Sequence, residues 1–408
     1  MTIGQNKQTG VSQSAPLKVD PGYFRDDPHA AFAELRPRSP VLDIGTGVPI
    51  ITRHADVEAM FTDPRTRQIE KEAIELRGIT SGALHTFYAN SMLVSNDPAH
   101  TNRRRPVART FAFKLFNDLR PRVRALAEEV IDEHIAAGEM DFMAAVASPL
   151  PARIIAEILG IPREDAPRFA RMVYGMSRGI SSFRPEHFDP IEAAAADLNA
   201  YTEALIADRR ANPGDDFLSN YVRAVDEAGI LSEAETLIQI VSLIIAGSDT
   251  TRFGLTALIW LLLDHREQWD ALCADPAMAA GAVLEALRYE PPVGSIARVI
   301  TEKLEIGGVG LKRGTVLSLS MLSAQRDAAV YGDPQRFDIA RADHPRWSIT
   351  FGGGPHRCLG EALARAEMEE ALIALAQRLP DLRRVGEPPV TKAHFGIRSI
   401  SSMTVQWG

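Results

Sequence analysis

Cysteine is nearly absent. Cys273 and Cys358 are the only two in 408 residues, so a disulfide framework is excluded and a reducing compartment, the cytoplasm, is expected. An excess of positive charge is also lacking. Lys plus Arg number 45 against 53 Asp plus Glu, a net charge of −8, and no overall basic signal points to nucleic acid. Residues 1–18 contain no apolar run, so neither a signal peptide nor a membrane anchor is legible there. They read as a disordered lead-in. No Pro/Gly/Ser-rich linker, internal repeat or low-complexity tract divides the remainder, so 19–408 is read as a single domain despite its length. An apolar content of 45% supplies a large core.

What is present is mostly helical periodicity. Pro28–Leu35, Ala55–Phe61, Pro121–Ala137, Leu150–Leu159, Arg163–Met176, Pro190–Arg210, Phe217–Ala228 and Glu361–Arg378 carry it. Pro40–Ile44 and Pro49–Thr52 read as a hairpin turning at Gly45-Thr46-Gly47. Residues Arg65–Asn96 read as a long irregular stretch. Ile300–Ser320 reads as short strands with Gly turns, and Arg398–Trp407 as closing strands. The fold class is therefore mainly α with a small β portion. Cys273, within the helical Glu267–Ala274, reads as a packing residue.

Ser232-Glu233-Ala234-Glu235 is a capping-box pattern and opens an apolar run to Leu263. Roughly 30 helical residues would span ~45 Å, enough to cross the whole protein, and apolar character all round means burial. Asp249 and Arg252 at its centre argue against a membrane span. Within it, Ala246-Gly247-Ser248-Asp249-Thr250-Thr251 weakens the helix, and hydroxyl back-bonding is expected to distort it.

The most informative stretch is Phe351-Gly352-Gly353-Gly354-Pro355-His356-Arg357-Cys358-Leu359-Gly360. Glycines lead into His, Arg and Cys, and a helix follows at once. A cysteine at a helix N-terminus is biased toward thiolate, and the glycines allow close approach to a large flat group.

This stretch resembles the signature loop of the cytochrome P450 family, Phe-Gly-x-Gly-x-His-x-Cys-x-Gly, at every fixed position. The resemblance implies a P450 fold with a long central helix over haem b, with Cys358 as the iron ligand, and with Phe351, His356 and Gly360 in the cofactor loop. The central segment is similar to the family's Ala/Gly-Gly-x-Asp/Glu-Thr. That likeness implies that Ala246 and Gly247 line the oxygen cavity and that Asp249 and Thr250 are the acid–alcohol pair that delivers protons. His100, Arg104, Arg298 and His356 stand, in order, where the family places contacts to the haem propionates. Glu285 and Arg288, three apart, resemble the family's Glu-x-x-Arg, and Arg336 is matched to the arginine that locks it. Ser348 replaces the family's usual His before the loop.

The implied activity is monooxygenation: one atom of O2 enters a small-to-medium hydrophobic organic substrate by hydroxylation or O-dealkylation. No flavin or iron–sulfur motif occurs, so electrons are expected from a separate ferredoxin (2Fe-2S or similar) with its reductase. Arg103, Arg105, Arg109, Lys114, Arg346 and Arg357 are the expected basic docking patch. Phe87, Tyr88, Leu243, Val293, Ile296 and Ile397 are candidate pocket residues. Arg398 is a candidate carboxylate anchor or a solvent-facing residue. A monomer without nucleic-acid or membrane partners is expected.

Three other readings compete. A haem-thiolate peroxygenase or a non-catalytic haem sensor would have no need of the Asp249–Thr250 pair. Val41–Gly47 resembles the nucleotide loop of S-adenosylmethionine-dependent methyltransferases, but Pro49 replaces the third Gly and a strand, not a helix, is expected next.

Overall fold

The computed structural model describes residues 15–111, 113–180, 185–392 and 396–408. Helices dominate, as the periodicity predicts: α1 (Pro28–Arg38), α2 (His54–Met60), α3 (Glu72–Glu75), α4 (Ala83–Asn90), α5 (Ala99–Thr110), α6 (Phe113–Asp132), α7 (Pro149–Ile158), α8 (Ala166–Ser177), α9 (Phe188–Ala211), α10 (Phe217–Ala228), α11 (Glu233–Asp264), α12 (Arg266–Ala274), α13 (Ala279–Tyr289), α14 (Met321–Ala324) and α15 (Glu361–Arg378). The strands are β1 (Leu17–Lys18), β2 (Val41–Asp43), β3 (Ile50–Ile51), β4 (Thr66–Arg67), β5 (Glu139–Asp141), β6 (Ser295–Ile300), β7 (Leu304–Ile306), β8 (Val309–Leu311), β9 (Val316–Ser320), β10 (Arg383–Val385), β11 (Thr391–Lys392), β12 (Ser399–Ile400) and β13 (Thr404–Gln406).

The principal sheet runs β1-β2-β3-β9-β6-β4. It joins the chain's first fifth to residues 295–320, with Leu17 opposite Leu42, Ile50 opposite Ser318 and Thr66 opposite Ile300. Leu17 and Lys18 therefore belong to the sheet rather than to a lead-in; residues 1–14 lie outside the described ones. β2 and β3 form the expected antiparallel hairpin. A strand thus follows the Gly45–Gly47 turn where a methyltransferase needs a helix, which removes that reading.

The stretch 65–96 is more ordered than its sequence suggests. β4 is held by its pairing with β6. The start of α4 has no local side-chain cap; instead the Glu192 carboxylate of α9 accepts from Ala83 N and, at 3.0 Å, from Leu84 N. A cap supplied from more than a hundred residues away leaves no local signal.

α11 is the axis. Its 32 residues span ~48 Å, and both halves of the capping box form between Ser232 and Glu235. It crosses α4, α5, α7, α8, α9, α13 and α15. The expected distortion does not interrupt it. Ser248 and Thr250 donate back to Ile244 O (2.8 Å) and Ala246 O (2.9 Å) while the helical ladder continues. No helix among the described residues is long and apolar enough to cross a membrane.

Candidate active site

The cysteine loop is shaped by three glycines with different tasks. Gly352 (φ +68°) and Gly354 (φ +59°) occupy left-handed backbone. A Cβ on Gly353 would sit 2.7 Å from Phe61, and one on Gly354 2.8 Å from Thr62. These two therefore seat the loop on the end of α2 and do not face a cofactor. The open faces are at Gly352, where a Cβ would meet nothing within 3.8 Å, and at Gly360, where it would meet nothing within 4 Å. Cys358 N donates to Phe351 O (2.8 Å) and closes the loop. Ser348, standing for the expected His, caps the short turn Ile349–Phe351 by accepting from Thr350 N (3.3 Å).

Cys358 is solvent-accessible yet recessed among protein atoms. Burial pushes its thiol up, with Glu361 adding to the effect; the Gly360 N–H, Arg104 and Arg357 pull it down without prevailing. The helix terminus alone therefore does not produce the expected thiolate. A cation bound at sulfur would.

Around the loop, basic side chains converge from three segments. His100 and Arg104 lie on α5, Arg298 on β6 and His356 in the loop. The His100 and His356 ring centres lie 4.0 Å apart with the planes tilted by 33°. Arg104 Nη2 donates to Arg357 O (2.6 Å). Arg298 is oriented by Thr66, with Nε to Oγ1 (3.1 Å) and Nη2 to O (3.0 Å). Burial, then His100, Arg298 and Arg104, push His356 down to about 3, opposed only by Asp97. His100 is likewise lowered by burial and by Arg104, and its buried Nε2 has no partner. Such a cluster, short of counter-charge, suits a ligand bearing more than one carboxylate.

On α11, Asp249 is buried. Burial raises its carboxyl, while its short ion pair with Arg252, and Arg178, act the other way. Arg252 stacks over Tyr174 of α8 at 4.3 Å. Asp249 and Thr250 are not hydrogen-bonded to each other: the carboxylate turns to Arg252 and the hydroxyl to its own helix. Glu367 of α15 acts on the same Tyr174; burial alone raises its carboxyl well above the usual range, and Oε2 is unpartnered. Gly247, like Ala246, is half-buried. A Cβ there would sit 2.9 Å from Ile155, so Gly247 is where α11 crosses α7.

The support behind the loop departs from the expectation in one residue. Glu285 and Arg288 form a fully buried bidentate pair (2.7 and 2.8 Å). The third member is Arg341, whose Nε reaches both Glu285 oxygens (3.2 and 3.1 Å), and not Arg336. Arg336 is 65% exposed and pairs with Asp338; only its carbonyl is used, by Arg288 and Arg341. Both arginines follow Asp333-Pro334, and spacing alone does not say which turns inward. Thr350 ties this cluster to the loop through Leu287 O (3.2 Å) and Gln325.

The sequence pattern of the cytochrome P450 family matches residues 277–389. A plant-inducible cytochrome P450, pinF1 of Rhizobium radiobacter, is 42% identical over 100% of this chain and 97% of its own length. The monooxygenase PikC of Streptomyces venezuelae is 32% identical over 98% and 96%. The structure of CYP109Q5 from Chondromyces apiculatus superposes with a TM-score of 0.85 at 29% identity, covering 96% of this chain and 98% of that one.

The chain belongs to the cytochrome P450 family. It is an oxygenase, and its cofactor is haem b. The donor set fits that group. One accessible sulfur lies on a loop with two open glycine faces, beside two arginines and two histidines suited to two propionates. No cluster of three metal-ligating side chains competes among the described residues.

The candidate pocket residues of this P450 divide in two. Val293 and Ile397 form an antiparallel bridge, and Ile296 Cδ1 approaches Gly352 of the loop; all three keep partial exposure. Phe87, Tyr88 and Leu243 are instead core residues. Phe87 is 1% exposed and edge-on to Tyr88, whose hydroxyl donates to Gly179 O (3.3 Å). Arg398 does not face solvent, and its buried Nε and Nη2 have no partner among the described residues. It is buried, ion-paired with Glu290 (2.6 Å), and stacked on Phe253. Arg103 also leaves the docking patch, because it is buried against Glu235 (2.9 Å). Lys114's side chain lies outside the described residues.

Proposed function

We propose that this P450 inserts one oxygen atom from O2 into a small-to-medium hydrophobic substrate, by hydroxylation or O-dealkylation, with electrons from a separate ferredoxin and its reductase. The carrying observation is the accessible Cys358 set beside His100, Arg104, Arg298 and His356. Haem, bound there, supplies the oxygen activation. Cys358 would hold the iron as thiolate; the Arg104 and Arg298 guanidiniums and the ring N–H groups of His100 and His356 would hold the propionates; Phe351, Gly352 and Gly360 form the bed of the loop. Ala246, half-buried on α11, lines the oxygen side. Val293, Ile296 and Ile397 line the substrate side, and their apolar character favours an apolar substrate. The chain from Leu17 onward works as one domain, and the two isolated cysteines favour a cytoplasmic setting.

Asp249 is the proton reservoir. A carboxyl raised by burial but checked by Arg252 can hold a proton and give it up when that pair opens. Thr250 Oγ1, one residue on, receives it after turning from Ala246 O. Thr250→Ala is therefore expected to lower product formed per O2 consumed roughly tenfold or more, with the missing electrons recovered as peroxide and substrate affinity unchanged. Unaltered coupling in that variant removes Thr250 from the route.

Exposed Arg109 has no carboxylate partner among the described residues. Arg109→Glu is expected to slow reduction by ferredoxin several-fold and to flatten its salt dependence, read by stopped-flow absorbance. An unchanged rate removes Arg109 from the docking face. Substrate class is tested by titrating terpenoid, aromatic, fatty-acid and steroid compounds against the haem spectrum. A response confined to strongly charged ligands would contradict an apolar pocket.

A further inference from the structure

A cleft of 1120 Å³ lies between α7 and α8, and no residue of the cysteine loop lines it. Its origin is residue size. Ala152 and Ala156 of α7 face it, as do Pro167 and Ala170 of α8. Steps of three and four put each pair on one helix face. Side chains this short leave the space between two helices unfilled. Ile161 and Pro162, from the connecting segment, complete an apolar wall.

The charge on these walls is not balanced. Glu133 is taken by Arg153 (2.7 and 2.8 Å) and Glu157 by Arg122 (2.7 Å), and Arg163 pairs with Glu129. Arg171 and Arg178 remain. Both line the cleft and are exposed, and neither forms an ion pair among the described residues. Seven apart, they stand on one side of α8 and its cap, ~10 Å from each other along the axis. Single exposed arginines are ordinary surface. Two unpaired ones on the wall of an apolar cleft, in a chain of net charge −8, complement an anion. A concave, mainly apolar site with a few polar groups is the common form of a small-molecule pocket, and arginine's planar fork matches a carboxylate.

Tyr174, midway between the two arginines, also lines the cleft. Its hydroxyl donates to Ser148 O (2.6 Å), and its ring carries Arg252, the partner of Asp249. An occupant therefore lies against the residue that seats Arg252.

We propose that this cleft is a second binding site, for an amphipathic carboxylate whose apolar body lies along α8 and whose anionic end is held by Arg171 and Arg178. The site is separate from the haem and from the substrate side of the loop, and it goes beyond the monooxygenase reading.

The test titrates dodecanoate by calorimetry into haem-loaded protein whose iron is saturated with phenylimidazole, so that the haem pocket is closed to the probe. Saturable binding is expected, at least roughly tenfold tighter than that of dodecylammonium, which has the same chain and the opposite charge. Arg171→Glu is expected to weaken dodecanoate binding at least roughly tenfold. Ala170→Trp, which fills the cleft and leaves both arginines in place, is expected to abolish it. The absorbance of the phenylimidazole complex verifies that each variant is folded and loaded. Binding that vanishes on saturation with phenylimidazole would put the carboxylate at the haem and overturn the second site. Equal affinities for the two ions, or an unchanged Arg171→Glu titration, would overturn the arginine-held carboxylate. No binding to the wild type would overturn the proposal outright. Each of these failures leaves the monooxygenase reading standing, because the cleft shares no residue with the cysteine loop.

Discussion

Replacing Arg288 with alanine is expected to remove about 3–5 kcal/mol of folding stability, the usual consequence of leaving a buried charge without its partner. Arg288 donates to both Glu285 oxygens and to the carbonyls of Gln325, Pro334 and Arg336. Its loss takes the bidentate partner from a fully buried carboxylate, leaving it Arg341 alone as a cation in hydrogen-bond contact, and takes a donor from three carbonyls. The same reasoning ranks the arginines of the following loop. Arg341→Ala is expected to be strongly destabilising, because Arg341 reaches both Glu285 oxygens and the carbonyls of Gly332, Asp333 and Arg336. Arg336→Ala is expected to stay within about 0.5 kcal/mol of wild type, since the exposed side chain can go while the carbonyl remains. Urea unfolding of the three variants checks the order. Equal losses at positions 336 and 341 would contradict the geometry.

Cys358→His is expected to leave the fold intact and to lower oxygen insertion at least roughly a hundredfold, equivalent to about 2.7 kcal/mol on the barrier. The loop is closed by backbone bonds, Cys358 N to Phe351 O and Arg357 N to Gly354 O, which a histidine preserves. What changes is the donor. A thiolate donor would support the haem's oxygen activation more strongly than an imidazole would. Gas-chromatographic product analysis with an accepted substrate measures the loss. Retained turnover would mean that the sulfur is not the ligand.

Residues that act through neighbours in sequence were legible. The run Phe351–Gly360, the Ser232–Glu235 capping box and the apolar length of α11 each write their structure locally. Pairing that depends on remote partners was not. Glu192 caps α4 from another helix, Arg341 rather than Arg336 turns inward, and Arg398 is claimed by Glu290. The tasks of individual glycines depend on remote neighbours too. Gly247, Gly353 and Gly354 are small because Ile155, Phe61 and Thr62 lie against them, and nothing in a glycine states which neighbour requires it. Phe87 and Tyr88 were apolar enough for either a pocket or the core, and only packing against α9 and α11 decides for the core.

The account turns on a thiolate that the polypeptide alone does not favour, since burial holds the Cys358 thiol up. The most direct measurement is the absorbance of the dithionite-reduced, carbon-monoxide-bound wild type. A strongly red-shifted Soret band, absent in Cys358→His, is the predicted result. A band of the histidine-ligated type in the wild type, or no haem at all, would contradict the assignment of Cys358 and the activity derived from it.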